Sequence, residues 1–277
     1  MPVIALTQGM GSLAQDIAEQ LATELQLTTL QHEVAERVAD KMHVSKSLIS
    51  RLRSGKAGTL ERLRVDRDAM AIYSAEEVLE AAARGNVVLR GWGATALLRP
   101  VPHVPCIRIL RPFAQRVQWL MAELDTDDID AAEAEIKRSD EANAARMHDQ
   151  FGVNWGDPVL FDLVLNTDRL SIDTCVQQIK ALLARPEFAE TEASRALVSA
   201  MALQAGVRAA LRGHELTRNV DVVIEGGQSG IVLRGIVVSA AERAAAEQVA
   251  SAVSGVAAVD NQLRVMASSR LFTSAKV

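Results

Sequence analysis

A short apolar run at residues 3–6 passes directly into Thr7-Gln-Gly-Met-Gly-Ser12 and then into residues 13–25. In that last stretch Ile17, Ala18, Leu21 and Leu25 fall on one face at helical spacing. Strand, glycine-rich turn and helix in this order open a βα unit of the nucleotide-binding kind. Compact apolar strands recur at 86–90, Cys106–Leu110 and 160–166, separated by helical patterns that include Phe113–Leu124, the charged, alanine-rich Ile129–Phe151 and Ile172–Leu183. Strands alternating with helices predict a parallel α/β sheet. Residues 31–84 read as mostly helical, with a break at Ser54-Gly-Lys-Ala-Gly58.

At 277 residues the chain exceeds one ordinary domain, and its composition shifts at the polar, proline-bearing stretch 184–191. We expect a first domain at 1–184, a linker at 185–193, a second domain at 194–266 and a flexible tail at 267–277. The second domain reads helix (194–211), strand (220–225), glycine-rich turn, strand (231–238), helix (240–253) and strand (256–265), an αββαβ order.

Hydrophobic residues make up 49% of the chain but aromatics only 3%, so the cores are aliphatic. A net charge of −5 gives no global attraction to nucleic acid or anionic lipid. The start carries no basic segment and long apolar stretch of a leader, and no apolar run approaches the roughly 20 residues that span a bilayer. Cys106 and Cys175 lie apart in apolar segments and read as buried free thiols, and the five histidines lack metal spacing. A cytoplasmic protein is expected.

Gly152-Val-Asn-Trp-Gly-Asp-Pro158, followed by Phe161-Asp-Leu-Val-Leu-Asn-Thr167, resembles the end of cytidylate-kinase-like domains, where Trp-Gly-Asp-Pro precedes Tyr-Asp-Leu-x-x-Asn-Thr. Arg90-Gly-Trp-Gly-Ala94 is similar to the family's strand-end Gly-Arg-Gly segment, and Ile129–Phe151 sits where its lid helices lie. Residues 194–266 resemble a BON domain through Ile231-Val-Leu-Arg-Gly235, Val253-Ser-Gly-Val256 and Val259-Asp-Asn-Gln-Leu-Arg-Val265. These resemblances imply a P-loop kinase-like parallel-sheet domain with a mostly helical insert and lid, joined to a small αββαβ module that binds a phospholipid surface or a protein partner.

For the first domain they imply ATP and Mg²⁺ as cofactors and a nucleotide as ligand. By position, Gly9, Gly11, Ser12, Gln15 and Arg90 would contact nucleotide, Ser12 would also reach Mg²⁺, and Arg138, Asp140 and Arg146 would be the catalytic lid residues. The functional positions nevertheless depart from the family pattern. The loop has no lysine, the first in the chain being Lys41. Leu13-Ala14 replace a glycine pair, and Gln15 replaces an arginine. Asn143 stands where the lid arginine is expected, and Gln31-His-Glu33 replaces Asp-Arg-Glu. A retained scaffold with weak or absent kinase activity is therefore expected, with a regulatory or scaffolding protein as the alternative.

Residues 34–55 also read as a DNA-binding helix-turn-helix, with Lys46, Ser47 and Arg51 facing the groove and Arg53, Lys56, Arg62 and Arg64 nearby. The competing reading is a helix pair of the kinase-like insert, which the net charge favours. Trp155 and Asp157 read as turn anchors, Gly235 as a close backbone approach, and the acidic run 125–130 as helix capping. An Ala/Val-rich second module also suggests a homo-oligomer.

Overall fold

The computed structural model describes residues 1–227 and 230–266. The expected flexible tail at 267–277, and Gln228-Ser229 in the turn of the second domain, lie outside the described residues. The chain forms two compact units, the first Met1–Val198 and the second beginning at Ser199.

In the first unit β1 (Val3–Gln8) leads to α1 (Ala14–Leu25) and the short β2 (Thr28–Leu30). The insert follows as α2 (His32–Met42), α3 (Lys46–Arg53), α4 (Thr59–Arg64) and α5 (Arg67–Arg84). Then come β3 (Val87–Arg90), α6 (Ala94–Leu97), β4 (Cys106–Leu110), α7 (Phe113–Leu124), α8 (Ile129–Phe151), β5 (Leu163–Asn166) and α9 (Ile172–Leu183). The five strands are all parallel, in the order β2-β3-β1-β4-β5. Near-continuous apolar runs in β1, β3 and β4 suit strands buried on both faces. Ile17 and Leu21 of α1 and Val176 and Ile179 of α9 join Ile4, Leu6, Val88 and Ile107 in one core.

Helix ends follow local chemistry. Asp66, Asp128 and Ser171 each accept a hydrogen bond from a first-turn backbone N–H of α5, α8 and α9. Asp128 thus accounts for part of the acidic run as a cap. In the insert, Lys41 and Arg37 of α2 both bond Glu77 of α5, which is 4% exposed. Burial pushes the Glu77 carboxyl up, but hydrogen bonds from Lys41 and Arg37 outweigh it and hold it below its ordinary range.

The second unit begins within α10 (Glu192–Gly213) and continues as β6 (Val222–Gly227), β7 (Gly230–Val237), α11 (Ala240–Ser251) and β8 (Val259–Val265). β6 and β7 are antiparallel, and β7 and β8 are parallel. Val207, Leu211, Ile224, Leu233, Ala246 and Leu263 form its core. Both edges are capped by side chains. Gln204 and Arg208 donate to the Gly226 and Val222 carbonyls of β6, and Arg243 donates to the Asn261 carbonyl of β8. No helix among the described residues is long and apolar enough to cross a membrane.

Candidate functional site

The loop Gly9–Leu13 joins the carboxyl end of β1 to α1, beside the point where the strand order reverses. Gly11 has φ 77°, and a Cβ there would lie 2.9 Å from the Trp119 ring. Leu13 also adopts the left-handed region (φ 61°) as the N-cap of α1, with no side-chain cap bond. A side chain in that conformation costs about 1–2 kcal/mol, so Leu13 makes a turn that glycine would adopt more readily.

Three loop carbonyls are held from the β4 and β5 side. Arg116 Nε donates to Met10 O at 2.7 Å, Arg111 Nη1 to Gly11 O at 3.4 Å and Thr167 Oγ1 to Ser12 O at 3.1 Å. Trp155 Nε1 donates to Thr7 Oγ1 at 2.9 Å, which anchors the 152–158 turn to β1. Asp157 accepts from Val159 N, ahead of the turn Pro158–Leu160.

A cavity of about 350 Å³ opens over the loop. It is walled by Arg53 and Ser54 from the insert, Arg90-Gly-Trp-Gly93 at the end of β3, and Ser139, Asn143, Arg146 and Met147 of α8. Trp92, Trp119 and Trp155, all the tryptophans of the chain, line it. Arg53, Arg90 and Arg146 supply positive charge, and Asp16 is the carboxylate among the lining residues. Burial lowers the pKa of Arg90 and takes Arg146 down to about 10. Arg53 is lowered well below its ordinary value by burial, with the Arg146 charge adding to it. All three guanidinium groups keep their protons at neutral pH, so the cavity holds under-solvated cations and favours an anion.

The residues expected at the site separate into groups. Gly9, Gly11, Ser12, Gln15, Arg90 and Arg146 all line this cavity. Gln15 Oε1 meets Arg90 only at 3.4 and 3.5 Å and accepts no shorter bond from it. Asp140 is held in a two-pronged pair with Arg116 at 2.8 and 2.9 Å, and a Cβ on Gly9 would lie 3.0 Å from the Arg116 guanidinium carbon. Arg138 lies outside the loop cavity. It pairs with Glu135 and lines a separate groove between the insert and α8. Arg146 donates to Asn143 Oδ1 and to the Arg53 carbonyl.

Ser12 Oγ is buried with no hydrogen-bond partner and lines the cavity, so it fits a phosphate oxygen or a Mg²⁺ ligand. Among the described residues no group of three or more His, Cys, Asp or Glu could hold a metal. A Mg²⁺ there would take Ser12 together with phosphate and water oxygens, its usual habit, and would neutralise phosphate charge. Arg53 was not expected at this site: the sequence places it in the basic cluster of the helix-turn-helix reading. Its signal lies in tertiary packing rather than spacing.

A five-stranded parallel sheet in this order, with a glycine-bearing loop entering α1 and a helical insert and lid over the strand ends, defines a P-loop kinase fold. The model of the cytidylate kinase-like family matches residues 3–169, and that of the BON domain matches residues 199–267. The chain therefore belongs to the cytidylate kinase-like family and carries a BON domain behind that region. It is 28% identical over 188 residues to a cytidylate kinase of Ignicoccus hospitalis, covering 66% of this chain and 99% of that one. With a cytidylate kinase of Staphylothermus marinus it shares 24% identity over 161 residues, 57% of this chain and 90% of the relative. The crystal structure of an uncharacterized protein from Eubacterium ventriosum superposes with a TM-score of 0.52 at 18% identity, over 67% of this chain and 100% of that one, a likeness of fold.

Proposed function

We propose that the first unit binds a nucleoside phosphate and is weak or inactive as a nucleoside monophosphate kinase, while the BON domain attaches it to a phospholipid surface or a protein partner. The observation that carries this reading is the loop cavity, where three arginines face one aspartate beside a loop without a lysine. Phosphate affinity and catalytic power separate on this wall. The cations that attract an anion are present. However, Asp140 is occupied by Arg116, Arg138 is turned to another groove, and Asn143 carries no charge to stabilise a transferring phosphoryl group.

The nucleic-acid reading is disfavoured by ion pairing. Lys46 pairs with Glu36, Arg51 with Glu61 and Lys56 with Glu135, which leaves the α2–α3 surface largely neutralised. A scaffolding protein without ligand is the remaining alternative.

Calorimetry of the full chain with ATP and CMP, with and without Mg²⁺, tests the reading. Binding heat and a raised melting temperature are expected, with turnover far below the roughly 1–100 s⁻¹ of ordinary kinases. Absence of both heat and thermal shift at millimolar nucleotide would overturn the binding claim and leave the scaffold. Turnover in the ordinary range would overturn the loss of activity.

A further inference from the structure

We propose that Arg53, at the end of α3, is a phosphate-binding residue of the loop cavity, and that it takes the phosphomonoester of a nucleotide or inorganic phosphate. The proposal rests on the nucleotide-binding reading above and adds the residue that holds the phosphate.

Arg53 is placed with some precision. Its guanidinium carbon lies 3.5 Å from the centroid of the Trp92 ring. Trp92 is fixed in turn, because its Nε1 donates to Gln31 O at 2.8 Å and its backbone sits in the left-handed region (φ 58°) between Gly91 and Gly93. A Cβ on Gly91 would come within 3.3 Å of Arg53 Nη2, so the strand-end glycine leaves room for this group. The backbone carbonyl of Arg53 accepts from Arg146 Nη2, which ties the last turn of α3 to α8.

The guanidinium itself is under-satisfied. Nε is buried without a hydrogen-bond partner, and among the described residues no carboxylate pairs with the group. An indole contact stabilises the positive charge but accepts no conventional hydrogen bond. The in-plane donors therefore remain for a ligand, and a planar fork of N–H groups matches two oxygens of a phosphate. Arg90 and Arg146 on the same wall supply the further charge that a dianion needs. Burial of an unpaired cation destabilises the empty fold, which gives Arg53 a signature that a packing residue lacks.

The test titrates the full chain with CMP, inorganic phosphate and cytidine by calorimetry, and melts it without ligand, for the wild type, Arg53→Met and Arg53→Lys. For Arg53→Met the expected result is CMP affinity weaker by about 10- to 100-fold, cytidine binding unchanged, and a melting temperature equal to or above wild type. Arg53→Lys, which keeps the charge without the fork, should fall between. Inorganic phosphate that binds as tightly as CMP would identify the free ion as the ligand, and tighter CMP the nucleotide. Unchanged CMP affinity in both variants, with a lowered melting temperature, would make Arg53 a packing residue and overturn the proposal while the nucleotide reading stands. A wild type that binds neither CMP nor phosphate would overturn both.

Discussion

The two units treat their buried polar groups differently. In the first, Gln8 Oε1, Ser12 Oγ, Gln31 Oε1, Arg53 Nε and Arg108 Nη1 are buried without a partner. Four of these residues line the loop cavity, and Arg108 lines a small neighbouring cavity together with Ser12. Among the described residues of the second unit no such atom occurs, and even the sheet edges find side-chain partners. Unsatisfied buried groups cost free energy and persist where something else constrains them. The second unit satisfies its described buried side chains; the first gathers its unmet hydrogen-bonding capacity around the loop. Unmet capacity gathered around one cavity supports the proposed phosphate-binding role.

Three measurements probe the contrast. The largest effect is expected at a close backbone approach inside β7: a Cβ on Gly235 (φ 151°) would lie 2.6 Å from the Asp221 carbonyl oxygen. Gly235→Ala should destabilise the second unit by about 3 kcal/mol, read as loss of its exchange-protected amides while those of the first unit are unchanged. An equal loss in both units would show that they do not unfold separately. Next, Asp140→Ala leaves Arg116, 11% exposed, without its carboxylate. A loss of about 2 kcal/mol in urea unfolding is expected; an unchanged midpoint would mean the pair is not a structural support of the loop.

The smallest effect concerns pH. Burial lowers the pKa of His103, whose Nδ1 meets Ser194 Oγ at 2.8 Å. A group with a depressed folded pKa contributes stability that is complete above its unfolded value, near 6.5, and is lost as pH falls through the folded value. The first unit should therefore lose stability between pH 7 and pH 5.5, and His103→Gln should remove that part of the dependence. An identical pH profile in the variant would sink the assignment.

Much of this architecture was legible in the chain. Alternating strands and helices, the insert break at residues 54–58, the αββαβ order and the anchoring roles of Trp155 and Gly235 all follow from local rules of spacing and turn chemistry. β2 did not, because three residues, Thr28–Leu30, carry too little alternation to read as a strand, and the backbone alone recruits them to the sheet edge. Arg138 was readable in principle. Ile136, Ser139, Asn143, Arg146 and Met147 recur at helical spacing on α8, and Arg138 falls off that stripe. Arg53 was not readable, since only the fold of the insert onto the Gly91–Gly93 turn turns it inward.

The placement of the tryptophans has a practical consequence. All of them line the loop cavity and none occurs from Ser199 onward. The tryptophan emission of the full chain is thus a gauge of a single location. Quenching or a spectral displacement on adding a small molecule would register occupancy there, with the BON domain optically silent and no attached label required.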